Sequence, residues 1–314
     1  MPASKPRSGA ATQPQHPAHG IVIAVHGRQL LVALEGEAGR TREAFSRGRR
    51  SEACVGDRVA ATPLGDGQAV VESIGPRRNL VRRSDGGRSK SLAANVDLAL
   101  IVLAGDPPFS EELLMRVLAV AGTENIEIAI IAGKSDLKAG SDAIEPRLRH
   151  YESLGYRVIR LSAKHGSEHA LALLKPVLAG RNTLLLGQSG MGKSTLVNLL
   201  VPEAEQATRE ISQALSSGRH TTSFCRMFRT GTRLPSGAAI IDSPGFQLFG
   251  VAHLSRSQLM HALPDFAPLL GHCRFANCLH RDEPGCAVTD AVARGKVDAR
   301  RHSLYLRLLE ETLA

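Results

Sequence analysis

The spacing of apolar residues divides the chain into regions that predict different structures. Between residues 20 and 80, short segments alternate apolar and polar side chains and are separated by glycine-rich turns; they lie at 21–25, 30–34, 58–61 and 69–74. A period of two is typical of strands with one buried face, so we expect a small β-barrel here.

Beyond residue 90 the apolar runs become continuous, as in parallel strands buried on both faces. Predicted strands lie at 97–104, 126–132, 156–161, 183–186 and 238–241, with helical stretches at 111–121, 146–154 and 196–200. Strands that alternate with helices predict an α/β domain with a parallel sheet.

The predicted strand at 183–186 leads directly into a glycine-rich loop. Its sequence is Gly187-Gln188-Ser189-Gly190-Met191-Gly192-Lys193-Ser194-Thr195. This is the phosphate-binding pattern of P-loop proteins: the glycines let N–H groups close on phosphate oxygens, Lys193 neutralises the terminal phosphates and Ser194 ligates Mg²⁺. The implied ligand is a nucleoside triphosphate.

Two motifs that can read a guanine base lie upstream of this P-loop. The first is Gly133-Lys134-Ser135-Asp136, in which Asp136 would accept hydrogen bonds from the N1 and N2 donors of guanine. The second is Ser162-Ala163-Lys164, which is similar to the loop that backs the guanine ring in GTPases. Each follows a predicted strand.

A switch motif lies downstream of the P-loop, at Asp242-Ser243-Pro244-Gly245. There Asp242 would hold Mg²⁺ through water, and the Gly245 N–H would sense the γ-phosphate. The order of base motifs, phosphate loop and switches is a rotation of the usual GTPase order, which predicts a circularly permuted GTPase domain.

With these motifs and Gly218-Arg219-His220-Thr221-Thr222, the chain resembles the ribosome small-subunit-dependent GTPases of the RsgA/YjeQ family from about residue 20 to its C-terminus. The resemblance implies an N-terminal OB-fold β-barrel, a central α/β P-loop GTPase domain and a C-terminal, mainly helical zinc-binding domain. It also implies a late assembly factor that binds rRNA and GTP or GDP and is stimulated by the small ribosomal subunit.

The domains expected from these patterns are a disordered tail at 1–19, an OB-fold RNA-binding domain at 20–80, a linker at 81–91, the GTPase domain at 92–253 and the zinc-binding domain at 254–314. Residues 1–19 lack the apolar core of a secretion signal, and no run approaches eighteen apolar residues. We therefore expect a cytoplasmic protein without a membrane partner. Nothing suggests a coiled coil, and we expect a monomer.

Two positions differ from the expected GTPase pattern. Gly133 stands where the family has asparagine, so we expect guanine binding to be weaker by about one hydrogen bond, with specificity kept by Asp136. Phe246 replaces the glutamine that orients water in many small GTPases, so hydrolysis should be slow without another group. His220 is the nearest polar candidate, although it can equally be a partner-facing residue. Thr222 is favoured over Thr221 as the Mg²⁺ ligand.

Four soft ligands lie close together near the C-terminus, as Cys273, Cys278, His280 and Cys286. Such a set can close tetrahedrally around one structural Zn²⁺, and the family resemblance favours these four; His272 is the alternative nitrogen ligand. A bound ion would support a region too short for a large core, in which residues 294–313 predict a terminal helix.

Most of the formal charge of +9 lies near the N-terminus, where residues 1–90 hold fifteen Lys or Arg against eight Asp or Glu. Five arginines fall on one predicted loop: Arg40, Arg42, Arg47, Arg49 and Arg50. They suit an RNA backbone, with only Phe45 nearby to stack on a base; the alternative is a solvated basic loop.

Three classes of function fit these patterns. The first is the GTP-hydrolysing assembly factor. The second is a nucleotide-gated RNA-binding scaffold with negligible hydrolysis, which Phe246 and Gly133 would suit. The third is a P-loop kinase or ATPase, disfavoured because Asp136 would have no role in it.

Overall fold

A computed structural model of the chain describes residues 16–37, 39–47, 52–65, 67–85, 88–204, 225–229, 231–243 and 249–313. Its N-terminal strands are β1 (Ala18–His26), β2 (Gln29–Leu34), β3 (Arg42–Ser46), β4 (Arg58–Pro63) and β5 (Gln68–Ile74). They pair in the order β1-β2-β3-β5-β4, and β4 returns to β1. Alternate side chains such as Val22, Leu30 and Val32 fill the interior. This closed five-stranded, OB-like barrel confirms the predicted fold of the region.

Strand β3 occupies part of the arginine-rich segment for which the sequence predicts a loop. Arg42 begins the strand, and its guanidinium donates to the Glu37 carboxylate at 2.7 Å and to the Leu64 carbonyl at 3.1 Å. The loop prediction is wrong for residues 42–46 because only Ala44 among them is buried, which leaves little hydrophobic pattern. The Arg42 side chain therefore forms contacts within the barrel. Arg40 and Arg47 are exposed, whereas Arg49 and Arg50 lie outside the described residues.

A two-stranded hairpin follows the barrel, in the segment for which a linker is predicted. Its strands are β6 (Leu80–Asp85) and β7 (Arg88–Ala94). The Ala94 N–H donates to the Val55 carbonyl at 2.8 Å, which ties the hairpin to the barrel. At the other end, Ser84 forms a backbone bridge with Gly250.

The central sheet contains β8 (Leu98–Leu103), β9 (Glu127–Ala132), β10 (Arg157–Arg160), β11 (Asn182–Leu186), β12 (Arg226–Phe228) and β13 (Ala239–Asp242). The helices between them are α1 (Glu111–Thr123), α2 (Lys138–Ser153), α3 (Ser167–Leu178) and α4 (Lys193–Leu200). The order is β10-β9-β8-β11-β13-β12, parallel except for β12. Every residue of β8 is buried, as its unbroken apolar run predicts.

Strand β12 joins the two sheets. It pairs with β13 on one edge, and on the other Arg226 pairs with Ala24 of β1. The barrel and the central sheet thereby share one continuous hydrogen-bonded sheet of eleven strands.

The C-terminal part is helical, with α5 (Arg256–His261), α6 (Ala287–Ala293) and α7 (Ala299–Leu313). Residues 294–298 separate α6 from α7, so the predicted helix at 294–313 begins too early. The reason is local: Gly295 has a φ of 69°, and the Asp298 carboxylate caps the first turn of α7 by accepting from the Arg300 N–H at 2.7 Å. Helix α7 packs through Tyr305, Leu308 and Leu309, all fully buried.

No helix within the described ranges combines the length and the apolar character needed to cross a membrane.

Candidate nucleotide-binding site and metal centre

The P-loop connects β11 to α4 and depends on two glycines for its path. Gly187 has a φ of 148°, and a Cβ there would lie 2.5 Å from the Val102 carbonyl oxygen, so any side chain would collide with β8. Gly192 has a φ of 97°, in the left-handed region, immediately before α4. The backbone of the loop therefore requires the glycines of the sequence pattern.

The ammonium group of Lys193 lies inside this loop. Its Nζ donates to the carbonyl oxygens of Gly187 at 2.6 Å and Gln188 at 2.9 Å. Burial lowers the Lys193 pKa, and the nearby Asp242 carboxylate opposes that shift. Asp242 ends β13, where burial raises its pKa against the influence of Lys193. The start of α4 and the end of β13 thus bring the Lys193 ammonium and the Asp242 carboxylate close together. Ser194 is exposed in the first turn of α4.

A cavity of about 290 Å³ adjoins the P-loop. Residues from three separate segments line it: Gly133, Lys134 and Asp136 after β9; Ser162, Ala163 and Lys164 after β10; and Met191, Gly192 and Thr195 of the P-loop and α4. The structure therefore brings both upstream motifs and the phosphate loop to one cavity at the carboxyl ends of parallel strands. In open α/β sheets this is the edge at which ligands bind.

Asp136 is ionised and oriented by its neighbours. A hydrogen bond from the Ser162 hydroxyl is the main cause that lowers the pKa of the Asp136 carboxyl. The Ser162 oxygen in turn accepts from the His165 N–H at 3.1 Å, and His165 Nε2 lies 3.9 Å from Asp136 Oδ2. The two loops are also joined by the Ser135 N–H, which donates to the Leu161 carbonyl at 3.2 Å. No sequence pattern marks His165 as part of this site.

The segment after β8 also contacts the nucleotide motifs, which no sequence pattern indicates. Gln188 of the P-loop accepts a hydrogen bond at 2.7 Å from the Ser110 N–H, at the start of α1. Lys134 Nζ donates to the Asp106 carbonyl at 2.7 Å. These contacts tie residues 106–110 to both the base motif and the phosphate loop.

Several predicted site residues fall outside the cavity or outside the described ranges. Ser189 and Gly190 are exposed on the P-loop, and Ser135 joins the two base loops without lining the cavity. His220, Thr222 and Gly245 lie outside the residues that the structure describes.

The C-terminal ligands form one compact group in the structure. The ligand atoms of Cys273, Cys278, His280 and Cys286 all lie within 4.8 Å of one another. His280 Nδ1 is 3.4–3.5 Å from the three sulfurs, and Cys273 Sγ is 4.0 Å from Cys286 Sγ. An ion bound tetrahedrally at about 2.3 Å from sulfur and about 2.0 Å from nitrogen requires edges of about 3.5 Å and 3.8 Å. The cluster could therefore hold a metal ion, and His272 is not part of it.

Backbone geometry orients the ligand group. The Ala287 N–H donates to Cys273 Sγ at 3.4 Å and the Thr289 N–H to Cys286 Sγ at 3.5 Å, contacts that fix the positions of these two sulfur atoms. The ligand loop is held on α7, since the Tyr305 hydroxyl donates to the Leu279 carbonyl at 2.9 Å. Cys54 and Cys225 are buried elsewhere; burial raises the pKa of each thiol to about 12, consistent with packing residues.

The fold and the cavity beside the P-loop define a P-loop nucleotide-binding protein whose base motifs precede its phosphate loop in the chain. The RsgA GTPase family model matches residues 74–252. The chain belongs to this family.

Full-length relatives and solved structures agree with that assignment. Small ribosomal subunit biogenesis GTPase RsgA of Burkholderia pseudomallei is 50% identical over 310 residues, covering 99% of this chain and 97% of the relative. The crystal structure of YjeQ from Thermotoga maritima matches with a TM-score of 0.71 and 28% identity, over 95% of this chain and 99% of that one. YloQ, described as a circularly permuted GTPase, matches with a TM-score of 0.69 and 26% identity over 97% and 98%.

Proposed function

We propose that this protein hydrolyses GTP to GDP and phosphate while acting as a late assembly factor of the small ribosomal subunit. The main support for this proposal is that Asp136, upstream in the chain, lines the same cavity as Gly192 and Thr195 of the P-loop. The name of the 50% identical relative, a small ribosomal subunit biogenesis GTPase, supports the choice of the small subunit as partner. The protein would act as a monomer in the cytoplasm.

In this proposal the residues around the cavity hold opposite ends of one nucleotide. The carboxylate of Asp136, whose pKa the hydrogen bond from Ser162 lowers, accepts from the guanine N1 and N2 donors. Lys134, Ala163 and Lys164 flank the ring. The P-loop N–H groups cradle the phosphates, and Lys193 moves its ammonium from loop carbonyls to phosphate oxygens.

In this proposal Ser194 and Asp242 would hold Mg²⁺ with the nucleotide, with Thr222 as the third ligand. Bound magnesium would neutralise charge on the phosphate oxygens. Asp242 remains close to Lys193, and its raised pKa reflects burial that a cation at this position would offset. Gly245 would sense the γ-phosphate through its N–H, and His220 or a group from the subunit would orient the attacking water.

The barrel would supply contacts to rRNA. Arg40 is exposed, and Arg47 is 76% exposed although it is paired with Glu72. Phe45, 38% exposed on β3, can stack on a base. Arg42 is excluded from this surface because it is engaged within the barrel.

Zinc is the metal that the C-terminal donor set fits best. Three thiolates and one imidazole nitrogen make a closed soft site, which implies a structural role. The domain limits proposed with it are 20–80 for the barrel, 81–91 for the linker, 92–253 for the GTPase domain and 254–314 for the zinc-binding domain.

The test is turnover of GTP and ATP, measured in parallel with and without purified small subunits, for the wild-type protein and for Lys193→Ala. We expect slow GTP turnover that the subunits accelerate, no comparable ATP turnover, and loss of both GTP rates in the variant. Negligible GTP turnover with subunits present would favour the RNA-binding scaffold instead. A preference for ATP would favour a P-loop kinase or ATPase.

A further inference from the structure

A second cavity, of about 510 Å³, lies between the barrel and the central sheet. Ile21 and Arg58 line it from the barrel, and Asn182, Ala239 and Arg229 line it from the sheet. Asn182 and Ala239 begin β11 and β13, whereas the P-loop follows the carboxyl end of β11. This interdomain cleft is therefore at the opposite edge of the sheet from the nucleotide cavity.

The side chains of the cleft carry an excess of positive charge. Of the residues that the structure describes, Arg58, Arg78 and Arg229 line it, against one acidic residue, Asp97. Asp97 is already engaged: Oδ1 accepts from Arg78 at 2.6 Å and Oδ2 accepts from the Asn182 N–H at 2.8 Å. Arg58 and Arg229 are both exposed, and neither has an ion-pair partner within the part of the chain that the structure describes.

Three glycines line the cleft. Gly180 and Gly237 line it with φ values of 69°, and a Cβ at Gly237 would lie 3.3 Å from the Gly180 Cα. Gly56 lines the barrel side, and a Cβ there would lie 2.2 Å from the Ala94 carbonyl oxygen. The positive φ of Gly180 and Gly237 and the close approach of Ala94 to Gly56 thus favour glycine at these three positions.

We propose that the interdomain cleft binds phosphodiester groups of RNA, and this inference rests on the proposed function. Guanidinium groups bind phosphate oxygens in a bidentate manner, and those of Arg58 and Arg229 have no ion-pair partner among the described residues. None of the described residues that line the cleft is an aromatic on which a base could stack. The chemistry therefore fits the backbone of the nucleic acid rather than its bases.

The position of the cleft gives its occupant contact with both domains. Arg58 begins β4 of the barrel, and Arg229 directly follows β12, the strand that connects the barrel with β13. Neighbouring phosphates of one RNA strand, held by the two arginines, would bridge the barrel and the central sheet. RNA bound here would therefore contact two domains rather than the barrel loops alone.

The experiment compares the wild-type protein with the double variant Arg58→Ala/Arg229→Ala. Binding to purified small subunits is measured at several KCl concentrations, and GDP binding verifies that each protein is folded. Each neutralised phosphate contributes about 0.7–0.9 to the slope of log K against log salt, so loss of two contacts should reduce the slope by about 1.5. We expect affinity at low salt to fall by roughly tenfold.

Two control proteins separate local contact from general charge. Arg157→Ala removes an exposed arginine at the start of β10, far along the sheet, and should keep the wild-type slope. Arg58→Lys/Arg229→Lys keeps the charge and should retain most of the slope. A double alanine variant whose slope and affinity equal those of Arg157→Ala would overturn the inference.

Other outcomes separate this inference from the proposed function. If the wild-type protein does not bind small subunits, the proposed function fails. The same slope comparison with a labelled single-stranded RNA then tests whether the cleft binds RNA. A free nucleotide is the other source of phosphate. If GDP titration gives two sites on the wild-type protein and one on the double alanine variant, the cleft holds nucleotide and the assignment to RNA is wrong.

Discussion

Replacing Gly133 by asparagine should strengthen guanine nucleotide binding. A Cβ at this position would lie 3.5 Å from the Met191 carbonyl oxygen of the P-loop and 3.3 Å from the Leu103 carbonyl oxygen. An asparagine side chain would therefore begin beside the phosphate loop. Its amide could donate to the loop and contact the edge of the base, an interaction that glycine lacks.

The magnitude follows from one neutral hydrogen bond, which contributes a net of about 1 kcal/mol. Since about 1.4 kcal/mol corresponds to a tenfold change in affinity, the gain is about fivefold. The Cβ itself opposes this gain, because its 3.3 Å contact with the Leu103 oxygen is tight and needs a small backbone shift. Gly133→Ala carries the same Cβ without the amide and is the matched control.

The assay is titration of fluorescently labelled GDP into the wild-type protein, Gly133→Ala and Gly133→Asn. We expect the asparagine variant to bind GDP about fivefold more tightly than the alanine variant, with ADP binding weak in all three. Equal GDP affinities for alanine and asparagine would refute the argument that the missing amide weakens this site.

Three further predictions concern contacts that stabilise the barrel, the segment after β13 and the C-terminal helices. Asp57→Asn should lower the free energy of unfolding by about 3 kcal/mol, because Asp57 is fully buried and accepts from Arg77 at 2.7 Å; an unchanged urea midpoint would argue against it. Glu311→Ala should speed amide hydrogen exchange at Val251 and Ala252 by roughly thirtyfold, because the Glu311 carboxylate accepts from both N–H groups and about 2 kcal/mol of charged hydrogen bonding is lost. Unaltered exchange at these two amides would show that α7 does not hold the segment after β13. With a zinc chelator present, the C-terminal helices should melt at a lower temperature than the barrel. Melting of both at the same temperature, or no change in the melting of the helices, would contradict a structural metal at the cysteine and histidine cluster.

Elements with strong local patterns could be predicted from the sequence. The unbroken apolar run of β8 and the apolar residues 128–132 of β9 mark buried parallel strands, and the glycines of the P-loop mark a backbone path that other residues cannot follow. The four metal-ligand candidates lie within fourteen residues, so their proximity in space needed little tertiary information.

Elements that depend on distant contacts could not be predicted in this way. Strand β3 has one buried residue among five, and the hairpin β6–β7 carries charged residues such as Arg82 and Lys90, so neither shows a clear alternation. The contact of Glu311 with Val251 joins residues sixty positions apart. The cleft between Arg58 and Arg229 arises only when the barrel meets the sheet.

The most direct test of the account is the affinity of the wild-type protein and of Asp136→Ala for GDP and for ADP. Two hydrogen bonds to a charged acceptor contribute about 1.5–3 kcal/mol each, so the variant should bind GDP at least a hundredfold more weakly, with ADP binding unchanged. The preference for guanine should disappear. A variant that keeps the wild-type preference for GDP would contradict the claim that Asp136 and the P-loop hold the same nucleotide.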